Sequence, residues 1–116
     1  MKHLVICFVC LVLIGLYTAF SYIYIDNFTS DVKSEIKYSI DNNYPEMSVE
    51  RINDIFYKKK KTLDILVNTE HIDLFQNSLF EFENSVKYNN YQDAEVNSKV
   101  LLNIIDTIEK NNKNII

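Results

Sequence analysis

Leu4–Ile25 reads LVICFVCLVLIGLYTAFSYIYI, and no charged side chain interrupts it. In a helix these 22 residues rise about 33 Å, close to the hydrocarbon thickness of a bilayer. A helix apolar on every side is either buried or lipid-facing. The rest of the chain is too small to surround it, which disfavours a core helix. A cleaved signal peptide would need a shorter apolar core and small residues at the cut. Ala19-Phe20-Ser21 is a weak candidate, crowded by Tyr17, Tyr22 and Tyr24. A lipoprotein signal fails as well, because Ile6 and Val9 precede Cys7 and Cys10. The stretch therefore reads as an uncleaved membrane anchor over residues 1–25 that contacts the lipid bilayer through Leu4–Ile25. Its three tyrosines near the C-terminal end fit an aromatic belt at the interface. Lys2 is the only charged side chain before it, and Asp26 and Asp31 follow. The positive-inside bias then predicts a single-pass protein with a cytoplasmic N-terminus and the remainder outside the cell membrane.

Working outward, residues 26–45 carry Phe28, Val32, Ile36 and Ile40 four apart, an amphipathic stripe expected as a stalk helix. Asn42-Asn43-Tyr44-Pro45 ends it, since the residue before a proline is steered from the α region. A helical domain is expected over 46–116. Its first helix carries Val49, Ile52, Ile55, Phe56, Leu63, Leu66 and Val67, with Ser48 as a candidate cap and Pro45 as the alternative first-turn residue. Lys58–Lys61 interrupt that stripe. Their stems suit an apolar face with the ammonium groups in water, or a patch for an acidic partner or lipid headgroups.

Asn68 or Thr69 can cap the next helix ahead of Glu70. There Ile72, Phe75, Leu79, Phe82 and Val86 alternate steps of three and four, with Leu74 and Phe80 broadening the stripe. After Asn89-Asn90-Tyr91-Gln92, Asp93 is the expected cap of a last helix bearing Ala94, Leu101, Ile104, Ile105 and Ile108. So short a connection makes the last two helices an antiparallel hairpin. The fold class is all-α: an N-terminal transmembrane helix, then a domain of about three helices. One glycine and one proline in 116 residues leave few turn residues for a β-rich domain.

Thr62–Ile116 resembles the C-terminal part of an uncharacterised family of short bacterial membrane proteins, domain-of-unknown-function family 4363, found mostly in Firmicutes. The resemblance is carried by Glu70-His71-Ile72-Asp73, by the hairpin turn Tyr91-Gln92-Asp93-Ala94 and by the terminal Asn114-Ile115-Ile116. Members often have a tryptophan in the second helix; this chain has none, and Tyr57 is set against it. The resemblance implies a membrane-anchored helical domain with no assigned activity. The hairpin turn also resembles one tetratricopeptide unit, but no second copy recurs at a fixed period.

Chemistry is sparse. Beyond Lys2 the chain has 11 basic and 16 acidic residues, a balance that excludes the counterion-releasing footprint of a nucleic-acid binder. No phosphate loop, nucleophile elbow or spaced metal-ligand set occurs, so neither a cofactor nor an enzymatic activity is expected. Cys7 and Cys10 share one face of the apolar helix, where hydrocarbon disfavours a thiolate. Gly15 has no small partner four residues away, so a close-packed helix dimer lacks its motif. His71, beside Glu70 and Asp73, reads as a surface or capping residue whose special use would be a pH-sensitive contact. What remains is recognition. The expected role is a non-enzymatic accessory subunit that binds a membrane or envelope protein through Phe80, Tyr88 and Tyr91, with Ile115 and Ile116 docking at home or in the partner. The alternatives are a bitopic envelope or division component that forms a homo-oligomer through its stalk, and a sensor that binds a small ligand between helices.

Overall fold

The computed structural model describes residues 1–114, and Ile115 and Ile116 lie outside it. Four helices account for nearly all of these: α1 (Lys2–Asp41), α2 (Glu46–Leu66), α3 (Thr69–Lys87) and α4 (Tyr91–Asn114). Each packs against its neighbour in sequence, and α4 closes back on α1, while the backbones of the diagonal pairs stay apart, with no two Cα atoms within 8 Å among the described residues. The result is an up-down-up-down four-helix bundle. It is extended by the free first half of α1 into a particle of 67 × 21 × 21 Å.

The stretch expected as a separate stalk is the first wall of this bundle. Phe28, Val32 and Ile36 are fully buried against α2 and α4, so four helices, and not three, enclose the core. A stripe spaced four apart specifies that something covers it without saying what, and here the same chain does. Phe28, Phe56 and Phe75, one from each of α1, α2 and α3, form the aromatic centre. Their ring centroids lie 6.4, 5.9 and 4.9 Å apart in tilted and edge-on pairs. Leu101 and Ile105 close the cluster from α4.

α1 runs from the apolar segment into this core as one helix, without a linker. Its apolar window has no buried residue, which rules out the core-helix alternative for that part of the chain. The boundary between the apolar segment and the bundle falls earlier than residue 25. Ile25 is buried, Tyr24 packs on the core, and Asn112 of α4 donates to the Tyr22 carbonyl at 3.1 Å.

Asparagine does at the distal turns what glycine usually does. Asn43 and Asn89 both adopt a left-handed conformation, with φ of 58° and 56°. In each turn the next amide reaches back five residues: Tyr44 to Ser39 at 2.7 Å and Asn90 to Ser85 at 2.8 Å. These are Schellman-type closures, and asparagine tolerates αL better than any residue but glycine. Tyr44 follows at φ 57°. Its ring is held edge-on to Phe82 at 6.0 Å and stacked on Tyr91 at 6.4 Å.

Two expected caps move. Pro45 occupies the N-cap of α2, and Ser48 is instead buried, donating to the Glu35 carbonyl of α1 at 3.2 Å. At α4 it is Asn90 whose side chain accepts the Asp93 amide, while the Asp93 carboxylate accepts from Asn90 Nδ2 at 2.7 Å. Asn68 caps α3 through the Glu70 amide, as its sequence position suggests.

Candidate functional site

The three aromatic residues expected to form a recognition surface are all exposed, but they do not make one patch. Phe80 stands alone on α3 with 62% of its surface exposed. Tyr88, 73% exposed, ends α3, and the Lys87 ammonium lies 5.9 Å from its ring centroid. Tyr91 opens α4 but is half committed, because one face stacks on Tyr44. Among the described residues no ring of the three pairs with another of them.

Beside Tyr88 the α3–α4 turn opens a broad groove of about 470 Å³, lined by Glu81, Asn84, Ser85, Asn90, Asp93 and Asn97 as well. Its floor is already satisfied. Asn97 donates to Ser85 Oγ at 2.6 Å, and Ser85 donates to the Glu81 carbonyl at 2.7 Å. Residue spacing gives no sign of this groove, since its members read one by one as solvated positions on two helices. Between α2 and α3 a smaller cleft of about 240 Å³ gathers Glu46, Glu50, Glu83 and Lys87 around Val49 and Val86. Neither place concentrates ligands: among the described residues no three His, Cys, Asp or Glu side chains are disposed to hold a metal ion.

His71 lies at the other end of the bundle and does not pair with Glu70 or Asp73. It faces α4, with Nε2 3.5 Å from Asn111 Nδ2, at the rim of a cleft of about 180 Å³. Ile25, Leu66, Val67 and Ile108 line that cleft with Asn112. A second cleft of about 130 Å³ shares Ile25, Leu66 and Asn112 and continues to Tyr17, Thr18, Ser21 and Tyr22 on α1. The arrangement can receive apolar matter at the end of the bundle where α1 leaves it. The expected docking of Ile115 and Ile116 falls outside the described residues.

The charged residues that matter to the fold join helices. Lys33 Nζ on α1 lies 2.8 Å from Asp106 Oδ1 and 2.8 Å from Glu109 Oε2 on α4, and Lys113 reaches the other Glu109 oxygen at 3.1 Å. Hydrogen bonds donated to Asp106 and Glu109 raise the Lys33 pKa, and those accepted from Lys33 and Lys113 lower that of Glu109. Arg51 on α2 donates to Glu35 at 3.1 Å and lies over the Tyr38 ring, 5.1 Å from its centroid. The lysine run divides its work. Lys59 lies 5.5 Å from the Tyr24 ring centroid and 3.9 Å from Asp31, and Lys60 pairs with Asp64 at 3.0 Å. Lys58 and Lys61 are exposed with no acidic partner among the described residues. Cys7 and Cys10 are free and exposed on the outside of α1.

These features define a class: a small helical bundle that carries at one end a helix long and apolar enough to cross a membrane. No family model matches the chain, and neither does any curated protein or solved structure.

Proposed function

We propose that this is a single-pass membrane protein whose bundle serves as a non-enzymatic, partner-binding accessory subunit at the cell envelope, its N-terminus cytoplasmic and its bundle outside. The continuity of α1 carries the proposal: residues 2–41 form one helix, half lipid-like and half core. Such a helix holds the bundle at a fixed height and orientation on the membrane, an advantage for presenting a surface to a neighbouring membrane protein. The exposed rings of Phe80 and Tyr88 are the candidate contacts, since aromatic side chains supply large contact area at low entropy cost. Pairing through a coiled stalk is less favoured, because Phe28, Val32 and Ile36 already face the chain's own core.

The test is purification of the full-length protein from gently solubilised native membranes, beside its Phe80→Ala/Tyr88→Ala variant. A stoichiometric membrane partner with the unaltered chain, lost from the variant at unchanged thermal stability, is the expected result. Recovery of the protein alone, or equal recovery of the partner with both chains, would overturn it.

A further inference from the structure

We propose that the end of the bundle from which α1 emerges is seated in the interfacial layer of the bilayer. The last turn of α2 lies where headgroups meet lipid chains, and Lys58 and Lys61 meet anionic headgroups. This rests on α1 crossing the membrane, and it follows from a mismatch of lengths. The apolar run spans Leu4–Ile25, enough for the hydrocarbon core. Yet the bundle already reaches α1 at Tyr17–Ile25, where Leu66 and Asn112 share a cleft with Tyr17, Thr18, Ser21 and Tyr22. Only Leu4–Leu16 is clear of it, and 13 residues rise about 20 Å against a core of about 30 Å. Either the bilayer thins by about 10 Å, at a cost for each ångström of mismatch, or the bundle's end enters the interface.

The side chains at that end suit entry. Ile65 is 76% exposed, the most exposed large apolar side chain of the bundle. Lys58, Lys61 and Ile65 follow one another at steps of three and four, so they share the outward face of α2. Going toward the membrane, that face changes from basic to apolar over about 10 Å, the order of headgroups and lipid chains. The polar cap residues Asn68, Thr69 and Glu70 follow at once and limit the depth to the interface.

Charge along the bundle agrees. The half near the two distal turns, residues 34–56 and 78–102, holds nine carboxylates and four basic side chains. The half near the apolar segment, residues 22–33, 57–77 and 103–114, holds seven of each. The whole negative excess of the bundle therefore lies away from the membrane, which spares it repulsion from an anionic surface.

The test uses the full-length chain with Cys7 and Cys10 replaced by alanine. A single environment-sensitive fluorophore is placed at Val12→Cys, Ile65→Cys or Tyr88→Cys, all exposed positions. The protein is reconstituted in phosphatidylcholine vesicles, with and without phosphatidylglycerol, containing lipids spin-labelled at shallow or deep positions. The proposal expects deep quenching at position 12 and shallow quenching at position 65 several-fold above that at position 88. It also expects phosphatidylglycerol to raise the signal at 65, and Lys58→Gln/Lys61→Gln to remove that increment. Quenching at 12 with position 65 as dark to the quenchers as position 88 would overturn the seating while leaving the anchor intact. Absence of quenching at 12 would remove the membrane-spanning helix, and the seating with it.

Discussion

Lys33 shows how one side chain ties the ends of the chain together. Its ammonium bridges Asp106 and Glu109 across 76 residues of sequence, and no periodicity on α1 or α4 announces it. The carboxylates hold the Lys33 pKa above 10.5, so its contribution is complete below that value and is lost as pH rises through the folded pKa. Glu109 is held below 4.5, so its contribution is present above that value and is lost as pH falls through the folded pKa. Between those limits the bridge is fully formed. All three side chains retain solvent contact, from 24% to 47%, which screens the attraction. Lys33→Met is therefore expected to destabilise the detergent-solubilised protein by about 0.5–1 kcal/mol at neutral pH. The deficit should shrink toward zero as pH falls through the carboxylate range and in molar salt, as thermal melts of both chains would read. A deficit independent of pH would assign the effect to lost packing of the lysine stem.

At the scale of the elements, the turns explain how a bundle forms with its lone glycine at position 15, in the apolar segment. Asn89 accepts φ 56° so that the Asn90 amide can close on Ser85, after which Asn90 starts α4. A β-branched residue there would meet the left-handed penalty in full. Asn89→Ile should lower stability by about 1–2 kcal/mol, whereas Asn89→Gly should stay within a few tenths. An equal loss from both substitutions in melting experiments would show that the side chain, and not the backbone, sustains the turn. The helices themselves were legible in the sequence: Ile72, Phe75, Leu79, Phe82 and Val86 are all buried as their spacing requires, and Asn68 caps α3. Less legible was anything fixed by what lies opposite. Ser48 looks like a cap until α1 places the Glu35 carbonyl against it, and Asp93 looks like the cap of α4 until the turn sets Asn90 in that place. Phe80 is exposed although its spacing sets it at the broad edge of the apolar stripe, and its separation from Tyr88 depends on where α3 ends.

Over the whole molecule the decisive property is that the apolar segment and the bundle share one helix. A flexible stalk would let the domain sample many heights and tilts, while a continuous α1 clamped by α2 and α4 would fix both in the proposed membrane placement. The clamp is substantial: Ile25, Phe28, Val32 and Ile36 are buried along one side, with Lys33 and Arg51 bracing the other helices. No glycine or proline lies between Leu16 and Asp41 to permit a kink there. Spin labels at Leu13→Cys and Lys37→Cys, both exposed and on opposite sides of the junction, are 24 residues apart. A straight helix sets their backbone separation at about 36 Å. With Cys7 and Cys10 replaced, pulsed dipolar spectroscopy of the reconstituted protein should give one narrow distribution near that value, broadened only by the label arms. A broad or shortened distribution would place a hinge between anchor and bundle. The bundle could then lift from the bilayer, and both the fixed presentation of Phe80 and Tyr88 and the seating of Ile65 would lose their basis.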